Sequence, residues 1–80
     1  MIDSVLFRAW LKENTNYSDA VISDTISRMK RADGILEWYN EDVYQFYLER
    51  NEKYQALSVS VRSQIKKAVK LYYQFARTGY

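Results

Sequence analysis

The sequence predicts an all-α domain, a small four-helix bundle, and three observations carry that prediction. The 80 residues contain no Pro and only two Gly, Gly34 and Gly79, so a turn-rich β fold lacks its usual punctuation. Apolar residues recur at spacings of three and four in separate stretches, which puts each set on one face of a helix. Each stretch is preceded by Asp, Ser or Asn, the side chains that cap helix starts. Eighty residues make one domain, residues 1–80. Eight Tyr, three Phe and two Trp supply a core of large side chains to so short a chain.

The first helix is expected from Ser4 to about Glu13, capped by Asp3 or Ser4. Phe7, Trp10 and Leu11 follow the i, i+3, i+4 pattern, with Arg8 and Lys12 facing outward. Asn14 to Tyr17 is a polar break. Ser18 caps the second helix, with Asp19 in its first turn. Ile22, Thr25, Ile26 and Met29 form its inner stripe; Ser23, Ser27, Lys30 and Arg31 form its outer face. Asp24 and Arg28 stand four apart, as a surface ion pair would. Asp33-Gly34 is expected to end the helix in a left-handed turn.

Ile35 to Tyr39 is a short apolar connector expected to lie over the core. Asn40 is expected to cap the third helix, with Glu41 and Asp42 in its first turn. Val43, Tyr44, Tyr47, Leu48, Asn51 and Tyr54 would give its inner face. The fourth helix runs from Ser60 to Arg77, capped by Ser58 or Ser60. Its stripe is Val61, Ile65, Ala68, Val69, Tyr72, Phe75 and Ala76. Trp10, Ile26, Val43, Tyr47, Ile65, Val69 and Tyr72 are the expected centre of the core. Tyr44, Tyr47, Tyr54 and Tyr72 are read as edge residues, ring inside and hydroxyl in water.

Charge is unevenly distributed. The chain carries +2 overall, but residues 1–52 hold −4 and residues 53–80 hold +6, with no acid in the last segment. On the last helix Arg62, Lys66, Lys70 and Arg77 share one flank with Tyr73, and Ser63, Lys67 and Gln74 lie just beyond. A basic helix face suits an anionic partner, and helical hydroxyls and cations are the usual grip on phosphates. The competing reading is a solvated basic face balanced by the acidic remainder.

Chemistry is sparse. With no Cys and no His, disulfides, thiolate metal sites, most zinc sites and His-dependent acid–base catalysis are excluded. No Gly-rich phosphate loop or nucleophile–base pair appears, so no enzyme activity and no cofactor are expected. No apolar run is long enough to span a bilayer and the amino terminus has no signal-peptide pattern; a cytoplasmic location without membrane attachment is the expectation.

The order of residues also resembles a known family. Phe7-Arg8-Ala9-Trp10-Leu11 resembles the "F..WL" opening of the core-binding, or SAM-like amino-terminal, domain of phage integrases and other tyrosine recombinases. Tyr17-Ser18, then Thr25-Ile26 and a basic helix end, resembles that module's second helix. Ser60-Val61, then Ile65, Val69 and Tyr72-Tyr73-Gln74-Phe75-Ala76, resembles its final helix, which ends in an aromatic "fY.F" pattern. The resemblance spans about residues 4–77.

It implies a four-helix bundle forming half of a clamp around duplex DNA, with the second and fourth helices as the contact helices. Ser23, Ser27, Lys30 and Arg31 would belong to one. Arg62, Ser63, Lys66, Lys67 and Lys70, joined by Tyr73 and Arg77 on the same flank, would belong to the other. In that family a separate domain carries the Arg, His and Tyr of DNA recombination; it is absent here, and a chain without His gives Tyr80 no nucleophile's role. The partners expected are duplex DNA and either such a catalytic domain or a protein docking near Leu71. Leu71 falls off the core stripe, opposite the bases, with Val5 and Phe46 as further apolar surface. The alternative is therefore a helical protein–protein interaction or dimerisation module. Leu71 packing under a neighbouring helix is the competing explanation.

Overall fold

Asp3 opens the fold. Its carboxylate accepts from the Leu6 N–H at 3.0 Å, and its own N–H donates to the Tyr72 hydroxyl at 2.9 Å. The first bond caps a helix; the second ties that helix start to the far end of the chain. The computed structural model describes residues 1–78, and all regular structure among them is helical. There are five helices: α1 Ser4–Asn14, α2 Asp19–Ile35, α3 Tyr44–Arg50, α4 Glu52–Gln55 and α5 Val59–Arg77.

Three starts follow from short polar side chains. Asp3 caps α1, Ser18 caps α2 through the Val21 N–H, and Ser58 caps α5 through the Val61 N–H. Each such cap contributes about 1 kcal/mol. The expected stripes of α1, α2 and α5 are buried as read: Phe7, Trp10 and Leu11; Ile22, Thr25, Ile26 and Met29; Ile65, Ala68, Val69, Tyr72 and Phe75. Val61 and Ala76, at the stripe's ends, are half-buried. α2 and α5 form the most extensive helix pair, and α1 packs on both.

The middle of the chain departs from the expected single third helix. Asn51 is extended (φ −73°, ψ 134°), so the helix breaks there, and the Asn51 side chain caps the short α4 through the Lys53 N–H. The start also shifts. Asn40 caps nothing, Glu41 and Asp42 lie in a turn before the helix, and α3 begins at Tyr44 without a side-chain cap. Tyr44 explains the shift: its hydroxyl donates to the Leu36 carbonyl at 2.6 Å, and its ring meets Trp38 and Tyr39 edge-on at 4.8 and 5.3 Å. Those contacts set the helix rotation from Tyr44, Leu48 and, after the break, Tyr54. Val43 and Tyr47, expected in the core, are 40% and 54% exposed.

Two further expectations are corrected. The helix does not stop at Gly34; α2 runs through it to Ile35 and ends at an extended Leu36. The stop is made by Asp33, whose carboxylate accepts from the Trp38 N–H at 2.8 Å and turns the connector back over the core. Leu36, Trp38 and Tyr39 then pack against the buried cluster, as the apolar connector was expected to do. The hydroxyls of Tyr44, Tyr54 and Tyr72 do not point into water either. Tyr44 and Tyr54 donate to the carbonyls of Leu36 and Arg62, and Tyr72 accepts from Asp3. A buried phenol needs such a partner.

The core is largely aromatic. The Phe7 ring lies 4.9 Å from Tyr72 and 5.5 Å from Phe75, and Trp38 meets Tyr72 edge-on at 5.0 Å. This cluster joins α1, the connector and the second half of α5. It thereby fixes which faces of α5 remain open.

Candidate nucleic-acid interface

α5 spans the molecule with its apolar stripe inward, so its polar residues divide into two walls. Lys66, Lys70 and Tyr73 face α3 and the residues before it; Gln64, Lys67 and Leu71 face α2. Adjacent residues turn by about 100° on a helix, which sends neighbours such as Lys66 and Lys67 to different walls.

The α2–α5 wall is a shallow groove lined by Tyr17, Val21, Thr25, Arg28, Gln64, Lys67, Ala68 and Leu71. No carboxylate is among these residues. The Lys67 ammonium sits 5.9 Å from the centre of the Tyr17 ring, at the outer limit of a cation–π contact. Among the described residues no ion pair involves Arg28 or Lys67. Arg28 therefore faces this groove instead of pairing with Asp24. Leu71 lines the groove half-buried and packed against the core, so it is not the open apolar surface considered from the sequence. Val5 and Phe46 are exposed, at 77% and 54%.

The α3–α5 wall is a cleft of about 200 Å³ lined by Trp38, Tyr44, Val69 and Tyr73, with Glu41, Asp42 and Gln45 on one side and Lys66 and Lys70 on the other. Here the bases meet acids. Lys66 lies 4.0 Å from the Glu49 carboxylate, a solvent-exposed pair of small energetic value. Tyr73 is half-buried, 6.4 Å from Trp38. The Arg77 guanidinium covers its ring at 4.2 Å and donates to its hydroxyl. Tyr73 is thus a partner of Arg77 as well as a wall of the cleft.

Arg62 is half-buried at the other end of α5. Its carbonyl accepts from the Tyr54 hydroxyl at 2.9 Å, and its Nε is buried without a hydrogen-bond partner. With Glu49, Ser63 and Lys66 it lines a third, open depression. A guanidinium held there is a support for the α4–α5 junction as well as a charge.

The residues expected on α2 lie on its other sides. Ser23 accepts from the Arg8 guanidinium at 3.4 Å, which places it on the flank next to α1. Helical rotation puts Ser27 and Lys30 on that flank and Arg31 facing outward; all four are exposed. α2 and α5 are adjacent, a point periodicity leaves open, but Ser23, Ser27 and Lys30 and the pair Lys66 and Lys70 point away from each other. Arg28 and Lys67 are the cations brought together between the helices. Lys67 was among the expected residues. Arg28 was not, because an acid four residues earlier offered it a local partner.

Burial pushes the hydroxyls of Tyr44, Tyr54 and Tyr72 above their ordinary pKa. Among the described residues no group of acids, His and Cys could hold a metal ion, and no helix is long and apolar enough to cross a membrane. Comparisons with protein-family models, with curated proteins and with solved structures find no match to this chain.

Proposed function

We propose that this chain is a duplex DNA-binding module of the kind it resembles, the SAM-like core-binding domain of tyrosine recombinases. In this reading it contributes grip and no catalysis of its own. The observation that carries the proposal is the groove between α2 and α5, which presents Arg28 and Lys67 with no carboxylate among its lining residues. A phosphate strand lying along it would meet two cations, the Tyr17 hydroxyl and the Gln64 amide, groups that usually hold DNA backbones. Arg31 on α2, and Ser63, Lys70 and Arg77 on α5, would flank this line as secondary contacts; Ser23, Ser27 and Lys30, on the side of α2 next to α1, would not. Contacts of this kind position a duplex without reading its sequence.

The test is a binding titration of a fluorescent duplex across salt concentrations. Lys67→Ala should weaken binding to unrelated duplexes by a similar factor and reduce the salt slope by about one. Lys53→Ala, on α4 and in no ion pair among the described residues, is the control for lost charge. Equal losses from the two variants would reduce the attraction to diffuse net charge and remove the assignment.

A second reading, a protein-interaction module, is supported by the outer face of α3. Val43, Phe46 and Tyr47 are exposed there, with the Phe46 and Tyr47 rings 5.3 Å apart. Concentration-dependent NMR shifts at these residues without DNA would favour it; their absence to high concentration would count against self-association.

A further inference from the structure

The outer face of α3 carries charge as well as apolar surface, in an order that complements itself when reversed. Tyr44 and Leu48 are buried, so a rotation of about 100° per residue puts Phe46 and Arg50 on the side turned away from the core, with Tyr47 beside them. The turn before the helix, closed by the Tyr44 N–H on the Glu41 carbonyl at 3.1 Å, extends that rotation back to Asp42 and Val43. Asp42 therefore stands about one turn before Phe46, and Arg50 about one turn after it, along one line. Both are exposed, and among the described residues neither enters an ion pair. Glu49, the acid next to Arg50, is engaged elsewhere: its carboxylate accepts from the Gln45 amide at 3.1 Å and lies 4.0 Å from Lys66 on α5. The Arg50 guanidinium is held 5.1 Å from the centre of the Phe46 ring, and Phe46 is still 54% exposed with that cation in place.

We propose that two copies of this chain pair through this face, with their α3 helices antiparallel and Phe46 at the two-fold axis. The proposal rests on the reading of the α3 face as a protein contact and names its partner. Charge complementarity is what selects a second copy. A two-fold interface sets one patch against itself, so a residue four positions before the axis meets the one four positions after it. Asp42 of each copy then faces Arg50 of the other, at both ends of the contact. Val43, Phe46 and Tyr47 of the two copies close the middle. A parallel pairing would set acid on acid and base on base, which selects the antiparallel one. One short helix offers far less than the roughly 800 Å² per partner of a standard interface, so the dimer is weak, with a Kd on the order of 0.1–1 mM.

The test is sedimentation equilibrium and amide NMR of the intact chain at low salt, up to about 1 mM. The wild-type chain should dimerise, with concentration-dependent shifts at Val43, Phe46 and Tyr47, and added salt should weaken the dimer. Phe46→Ala, at a position more than half exposed, should fold and stay monomeric. Asp42→Arg alone sets two bases against each other at each end, and Arg50→Asp alone sets two acids; each should weaken the dimer about tenfold. An equimolar mixture of those two variants restores opposite charges at both ends and should associate as the wild type does. The double variant, Asp42→Arg with Arg50→Asp, should do the same. Association that shifts the α3 amides but ignores the charge reversals would support the protein-contact reading and overturn the antiparallel pairing. Association that leaves those amides unmoved, or survives Phe46→Ala, would overturn both. A chain that remains monomeric at about 1 mM would overturn the pairing of two copies. Arg28→Ala with Lys67→Ala should leave the dimer intact, so this proposal and the duplex reading can fail separately.

Discussion

Lys66 and Lys67 are neighbours in sequence and occupy opposite walls of α5: the Lys66 ammonium lies 4.0 Å from Glu49, and that of Lys67 sits 5.9 Å above Tyr17. One base is therefore beside an acid and the other in a groove without one. The two lysines should not be interchangeable. Lys67→Ala should weaken duplex binding severalfold, as loss of a phosphate contact does. Lys66→Ala should have a clearly smaller effect, because a carboxylate already competes for its charge. Parallel salt titrations of the two variants measure this directly.

Ile65, on the inner face of α5, is fully buried. Ile65→Ala should cost on the order of 2–5 kcal/mol, a large part of the stability of a domain this small. Tyr47→Ala, at a position expected from the sequence to lie in the core, should cost about 1 kcal/mol or less because the residue is more than half exposed. Chemical denaturation of the two variants should show this contrast.

Gly34 lies inside α2, and a Cβ there would meet nothing within 4 Å beyond its chain neighbours and the helix's own backbone. Alanine there gains helix propensity and restricts the unfolded chain, so Gly34→Ala should stabilise by about 0.5–1 kcal/mol. A left-handed residue at this position would instead make the variant destabilising. The sign of the change in thermal midpoint separates the two.

The buried phenols predict an alkaline limit. Burial raises the pKa of Tyr44, and to a lesser extent those of Tyr54 and Tyr72, above the ordinary value of 10. The unfolded chain therefore releases these protons first. Their contribution to stability is complete below about pH 10 and declines as pH rises through the folded-state values. Denaturation midpoints should be flat with respect to these groups at neutral pH and fall above pH 10. The Tyr44→Phe variant should show a shallower fall, with a loss near neutrality of about 1 kcal/mol for its hydrogen bond.

The parts of the fold legible in the sequence were those with long, regular stripes and a capping side chain. α1, α2 and α5 satisfied both conditions, with Asp3, Ser18 and Ser58 as caps. The middle segment misled because Val43, Tyr44, Tyr47, Leu48 and Tyr54 also fit one helical stripe. The break at Asn51 depends on a side chain capping α4, a choice periodicity does not record. Gly34 carried the signature of a helix end, but the Asp33–Trp38 hydrogen bond set the stop two residues later. The candidate site was legible as a list of bases on α5. Its division into two walls was not, because the division depends on which neighbour flanks each side. Arg28 could have been found by placing it on the rotation of α2 next to Val21 and Thr25.

The central claim is that the α2–α5 groove holds a duplex, and amide NMR during a low-salt titration with duplex DNA tests it most directly. The account predicts the largest shifts at Arg28, Gln64, Lys67 and Leu71, with smaller ones at Arg31 and Lys70 and little change at Val43, Phe46 and Tyr47. A titration that leaves the groove residues unmoved, while DNA is bound elsewhere or not at all, would contradict it.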